Sequence, residues 1–278
     1  SIADAGTQQE RLPFGDARFA AQCAHQAEIS GWDGFFAWEP VWGTDPWVCL
    51  TAAAMKTKRI RLGTMLSPLP VLSPWKLAGE AATLDNLSGG RVILSVGLGA
   101  IDTGFMNFGL PTDRKIRAER LDEGLEIVTG LWKGQPFQFE GKHFHIKPTE
   151  MNFPLPPAQH PRIPIWVVGA WPKMKSMKRA LQYDGILPNF MDETGKLLMG
   201  HPDLSVLEEM VDFVKQNQAT DHPYEIIMEG ETDPDQPESM NTVKSFSRMG
   251  ITWWIEAQWT QESNQALLDR LKAGPPRI

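Results

Sequence analysis

The sequence predicts an α/β protein of the (β/α)8, or TIM, barrel class, and three observations predict it. Segments with strand and helix character alternate about eight times along 278 residues, a length typical of one barrel domain. The run Val92–Val96 is almost wholly apolar, as suits a parallel strand buried on both faces. Around it, Ser73–Ala100 reads as a complete unit: Ser73-Pro74 opens a helix, Gly89-Gly90 stops it, a buried strand follows, and Gly97-Leu98-Gly99 leaves bare backbone at the strand end.

Taken in order, Ser1–Asp4 is the first strand, read as the tail of one whose beginning was trimmed. Asp16–Ser30 is a helix with Phe19, Cys23, Ala27 and Ile29 facing inward, and 34–39 is the second strand, ended at Pro40. Pro46–Met55 is a helix and Ile60–Leu66 the third strand. The next helix presents Leu77, Ala78, Ala81, Ala82, Leu84 and Leu87 as its apolar face, with Ser73 as its hydroxyl cap. Val92–Val96 is the fourth strand, and residues 99–114 form a loop long enough to cover a site.

Lys115–Trp132 is a helix with Leu121, Leu125, Val128 and Trp132 inward, and Arg117, Glu119, Asp122, Glu123 and Glu126 outward. Residues 136–146 alternate around Glu140-Gly141-Lys142 as an inserted β-hairpin, and 148–164 form a proline-rich connector, so the insertion covers about 133–164. Strands at 165–168, 184–187, 224–228 and 251–255 alternate with helices at 173–183, 205–216, 239–249 and 262–272. No linker divides the chain, and 1–278 reads as a single domain.

The net charge of −7 disfavours nucleic acid and anionic membranes as partners. No apolar run approaches the ~20 residues that span a bilayer, and no secretory signal is visible. Cys23 and Cys49 lie in apolar stretches without a CxxC spacing, so buried thiols of a cytoplasmic protein are expected rather than a disulfide.

Working residues of a barrel lie just past its strand ends. That rule selects Asp4, Glu39, Met65–Pro68, Gly97–Asp102, Gly169–Trp171, Pro188-Asn189, Glu229 and Glu256. A pair of such carboxylates suits a glycoside hydrolase; each alone also reads as a solvated or capping residue. Gly97-Leu98-Gly99 lacks the third glycine of a dinucleotide fingerprint and reads either as a tight turn or as amides approaching a phosphate. His143 and His145 read as exposed hairpin histidines, and no metal-ligand set is apparent.

Several segments carry a resemblance: TLDNLSGGRVILSVGLGA, AEISGWDGFFAWE, RIRLGTMLSPLPVLSPWKLA, RAERLDEGLEIVTGLWKGQPFQFEGKHF, RIPIWVVGAWP and YDGILPNF. Together and in order they resemble the bacterial luciferase-like superfamily of flavin- and deazaflavin-dependent oxidoreductases. The resemblance implies a TIM barrel binding FMN or F420 at its C-terminal mouth, usually as a homodimer. It implies a non-proline cis peptide at Met65-Leu66 backing the ring, backbone contacts to the cofactor from Gly97, Leu98 and Gly99, and contacts to its tail from Gly169, Ala170 and Trp171. Glu39 matches the acidic residue ending the second strand, the candidate acid or base. Family members commonly follow that acid with a histidine; this chain has Pro40, so their chemistry does not transfer directly.

The resulting expectation is an FMNH2-dependent monooxygenase, supplied by a flavin reductase, acting on a small organic substrate held by Trp38, Trp42, Phe105 and Phe108. The alternatives are an F420-dependent dehydrogenase or reductase, with an F420 reductase as its partner, a flavin-binding barrel without catalysis, and a glycoside hydrolase.

Overall fold

Five consecutive buried residues, Val92–Val96, form a strand with the bounds its apolar run predicts, and the elements beside it follow the expected alternation. The computed structural model describes residues 16–150, 155–198, 200–218, 223–257 and 263–276; the expected strand at Ser1–Asp4 lies outside them. The chain divides into two compact units, one built mainly from residues 33–164 with 16–28, the other mainly from residue 165 onward with 29–32.

The first unit holds α1 (Ala17–Ile29, but for its last residue), β1 (Gly34–Ala37), α2 (Pro46–Lys56), β2 (Arg61–Thr64), α3 (Pro74–Ser88), β3 (Val92–Val96), α4 (Arg114–Lys133) and the strands β4 (Phe137–Glu140) and β5 (His145–Thr149). β1, β2 and β3 pair in parallel, with Gly34 opposite Arg61 and Leu62 opposite Val92. β4 and β5 pair antiparallel. Asp45 caps α2 and Asp113 caps α4, each carboxylate accepting an N–H three residues on. Ser73 precedes α3 without a side-chain capping bond, contrary to expectation, so the proline at its first position carries the start of that helix. Gly89 ends α3 at φ +71°, the left-handed conformation that glycine takes without a Cβ penalty.

The segment that carries the family resemblance is a structural lock. Asp85, wholly buried where the apolar stripe was expected to continue, accepts from Val92 N and from both the backbone N and Nε2 of Gln159. The Arg91 guanidinium donates to Ser88 O, Ala54 O, Ile60 O, Thr57 O and Thr57 Oγ1. A buried charge is tolerable when its donors are so fully matched, and these bonds tie α2, α3 and the proline-rich connector to the start of β3. Leu87 and Ile29, expected inward, are exposed: Asp85 and Ser88 turn the buried face of α3, and Ile29 is the last residue of α1, whose buried residues end at Ala27.

The hairpin is held by α4. Glu123 accepts the backbone N–H groups of Lys142, His143 and Phe144, and Glu119 meets both Lys142 Nζ and His143 Nε2. His143 is therefore partly buried and hydrogen-bonded to Glu119 rather than an exposed histidine, and Glu119 and Glu123 anchor the insertion.

The second unit contains β6 (Ile165–Trp171), α5 (Met174–Ala180), β7 (Gly185–Phe190), α6 (Leu204–Asn217), β8 (Glu225–Gly230), α7 (Pro237–Met249), β9 (Trp253–Glu256) and α8 (Asn264–Lys272). Its strands are parallel in the order β6-β7-β8-β9. Glu225 accepts both the Trp166 and the Trp253 indole N–H, so the polar handle of each large ring is satisfied. Cys23 and Cys49 are free and buried; burial pushes the Cys23 thiol up to about 12, so it stays protonated. No helix among the described residues is long and apolar enough to cross a membrane.

Candidate active site

Three neighbouring parallel strands must end along one edge, and in the first unit that edge collects the candidate residues. Met65 N donates to Ala37 O, Ser67 bridges to Val96, and Gly97 N donates to Ser67 O. Glu39 after β1, Met65-Leu66-Ser67 after β2, and Gly97-Leu98-Gly99 after β3 are thereby brought together. The Met65–Leu66 peptide is cis, as the resemblance implies, and both residues keep part of their surface open.

Glu39 lines a cavity of about 340 Å3 together with Pro40, Trp42, Asp45, Trp47, Lys76 and Glu80. This volume is at the small end of ligand clefts. Burial pushes the Glu39 carboxyl up to about 7, the nearby Glu80 and Asp45 add to the rise, and the Ser67 hydroxyl opposes it by donating to Oε2. A carboxyl poised there holds or releases a proton near neutrality. Lys76 is engaged by Glu80. The Trp47 indole N–H is buried near Glu39 without meeting hydrogen-bond geometry.

Of the expected pocket aromatics, Trp42 lines this cavity and is 81% exposed. Trp38 lies outside its lining, and Phe108 sits exposed on the short 3-10 segment Phe105–Phe108. Phe105 is core, at 1% exposure. Its ring packs where a Cβ on Gly99 would come within 2.7 Å of it, and Gly99 also takes φ +74°, so this turn demands glycine twice over.

Arg117, expected to point outward, is 6% exposed. It donates to Leu98 O and Gly99 O, each at 2.9 Å, with its guanidinium 5.8 Å from the Phe105 ring centre. Since C=O and N–H point oppositely in a trans peptide, these bonds turn the N–H groups of Gly99 and Ala100 away from the arginine. Position 117 lies on the same helical stripe as Leu121, Leu125, Val128 and Trp132, a signal in the spacing that its charge overrode. Arg117→Met is expected to destabilise the protein by about 2–3 kcal/mol, because two carbonyls lose charged donors in a buried setting. Arg117→Lys should recover part of that loss in a urea unfolding series.

In the second unit, Gly169, Ala170 and Trp171 form the end of β6 rather than a loop beyond it, opposite Pro188, Asn189 and Phe190. The Ala170 N–H is taken by Ser176 Oγ at 3.0 Å, and Trp171 packs against Phe213. A Cβ on Gly169 would sit 2.4 Å from Ile186 Cδ1, so a side chain there would have to displace Ile186. Glu256 is committed to Arg270, Thr232 and Trp254, which leaves it poorly suited to act as a hydrolytic acid or base.

The backbone around Glu39 suits a flat ring with a polar tail. Met65-Leu66 supplies a partly open cis peptide, Gly97–Gly99 supplies bare chain with amides turned off Arg117, and Ser95 on β3 has a buried hydroxyl without a partner.

Comparison with known proteins identifies relatives by sequence and by fold. The family model described as luciferase-like monooxygenase matches residues 2–197. The oxygenase component of flavin-dependent trigonelline monooxygenase from Acinetobacter baylyi is 31% identical over 159 residues, 56% of this chain and 43% of that one. The 5,10-methylenetetrahydromethanopterin reductase of Archaeoglobus fulgidus is 28% identical over 187 residues, 67% of this chain and 51% of that one. The chain spans about half the length of the curated relatives it matches. Among solved structures, the monooxygenase RslO1 from Streptomyces bottropensis superposes with a TM-score of 0.75 at 20% identity, covering 95% of this chain and 93% of that one. An F420-dependent secondary alcohol dehydrogenase superposes with a TM-score of 0.71 at 17% identity, covering 95% of both.

Proposed function

Because the chain belongs to the luciferase-like monooxygenase family, we propose that it is a flavin-dependent oxidoreductase built on a closed (β/α)8 barrel, working as an FMNH2-dependent monooxygenase on a small organic substrate. The observation that carries this reading is the protonatable Glu39, which lines a cavity and accepts from Ser67, the residue that follows the cis Met65–Leu66 peptide. Met65, Leu66, Gly97, Leu98 and Gly99 of the first unit would hold the flavin. When bound, the reduced flavin supplies the electrons that activate oxygen. Glu39 would hold a proton at its carboxyl for the substrate or leaving oxygen, while Trp42 and the cavity's apolar wall, Leu72 and Leu77, orient the substrate and exclude water.

The reading includes a cytoplasmic homodimer served by a separate flavin reductase. For the separate reductase, the support is the relation to a protein described as the oxygenase component of a trigonelline monooxygenase. A second reading, hydride exchange with F420, is favoured by the fold shared across 95% of the chain with an F420-dependent dehydrogenase. Membership of a family of oxidoreductases and monooxygenases speaks against a barrel that binds flavin without catalysis, and, together with the engagement of Glu256, against a glycoside hydrolase.

Titration of the purified protein with FMN and with F420, followed by fluorescence and thermal unfolding, tests the assignment. FMN at a hundredfold excess over its dissociation constant should add about 2.7 kcal/mol of stability. Preference for F420 would select the second reading, and failure of both to bind would remove the cofactor assignment.

A further inference from the structure

Glu39 is held from behind by hydroxyls that the proposed chemistry does not use directly. Ser67 Oγ, wholly buried, donates to Glu39 Oε2. Thr64 Oγ1, also wholly buried, lies 2.8 Å from Ser67 Oγ, and its further contact is Ser95 O at 3.4 Å. The backbone of Ser67 is itself pinned, its N donating to Ser95 O at 2.9 Å and its O accepting from Gly97 N. Neither hydroxyl is placed to reach the cavity, whose lining includes Glu39 but not Thr64 or Ser67.

A hydroxyl both donates and accepts, so this row has two consistent polarities. With Glu39 ionised, Ser67 donates to the carboxylate and accepts from Thr64. With Glu39 neutral, the carboxyl proton can be given to Ser67, which then donates to Thr64, which donates to Ser95 O. Every buried polar hydrogen finds an acceptor in either state, which an isolated serine would not achieve.

We propose that Ser67, oriented by Thr64, is the positioning residue of Glu39: it fixes the carboxyl at the cavity wall and stabilises its ionised form against the desolvation that opposes it. The inference rests on Glu39 being the working acid of the proposed function. The charged groups facing Glu39 are Glu80 and Asp45, with Lys76 paired to Glu80, and the Trp47 N–H lies nearby. Both carboxylates disfavour ionisation of Glu39, and the Ser67 hydroxyl is the main group that opposes them.

The test is an infrared pH titration of the Glu39 carboxyl in the protein without added flavin, its band identified by disappearance in Glu39→Gln. Ser67→Ala should raise the midpoint by about one pH unit, a tenfold fall in the acid constant. Ser67→Thr should restore it, and Thr64→Val should raise it by less, which keeps the test open if the alanine variant folds poorly. An unmoved midpoint in both Ser67→Ala and Thr64→Val overturns the proposal, as does a Ser67→Thr variant that titrates like Ser67→Ala. Steady-state pH profiles then separate the two ideas. A midpoint that moves in an enzyme whose turnover shows no basic limb upholds Ser67 as the positioning residue and removes Glu39 as the acid. A basic limb near 7 with an unmoved midpoint does the reverse.

Discussion

Glu39→Gln is expected to lower turnover by about 10²–10⁴-fold while leaving flavin affinity within a few-fold, because the amide keeps the shape of the carboxyl but has no proton to give. If Glu39 serves as the proposed acid, the neutral carboxyl is the active form, and turnover should fall as pH rises through about 7. The same substitution reports on stability with a definite sign. A carboxyl raised from 4.5 to about 7 in the folded protein stays protonated while the unfolded chain ionises. Its contribution is therefore fully present below about 4.5 and is lost between there and about 7, after which it is flat. Relative to Glu39→Gln, the wild type should lose stability across that window, on the order of 2 kcal/mol given partial exposure. Urea unfolding at pH 5 and pH 8 measures this difference; parallel curves for the two proteins would show that Glu39 is not desolvated, and a Gln variant with full turnover would remove it from the chemistry.

Gly63→Ala should cause the largest loss of stability among single methyl additions in the sheet, about 3–5 kcal/mol. Gly63 lies in β2 between Phe36 and Ile93, and an added Cβ would stand 2.3 Å from Ile93 O and 2.9 Å from the Phe36 ring. A ring edge can swing aside, but a backbone carbonyl inside a parallel ladder cannot move without opening the pairing that also sets Ser67 and Gly97. Gly79→Ala is the matched control. It lies on the exposed face of α3 with nothing within 4 Å, and should gain about 0.5–1 kcal/mol from the lost flexibility of glycine in a helix. Equal midpoints for the two variants in urea would mean that the sheet yields at Gly63.

The two predictions depend on different kinds of information. The crowding at Gly63 follows from strand pairing, which a hydrophobic run and its flanking turns announce. The titration of Glu39 depends on what packs around it: Trp47 from α2, Leu77 and Glu80 from α3, and a serine 28 residues further along the chain. Nothing in the local sequence around Glu39 carries that arrangement.

Sequence alone determined the alternation of strands and helices, the bounds of β3, the glycine stop of α3 and the inward stripe of α4. Each follows from periodicity and from residues whose backbone preferences act locally. The family resemblance also placed the cis Met65–Leu66 peptide, although the motif that carried it, with Asp85 and Arg91, proved to be a lock on the opposite end of β3 from the candidate site. Tertiary structure alone decided the rest. It buried Arg117 against two carbonyls, returned Phe105 to the core, extended β6 through Trp171, and committed Glu256 to Arg270. A charged side chain is read as exposed until a matched set of partners, distant in sequence, offsets its desolvation. Such partners are assembled only when the chain has folded.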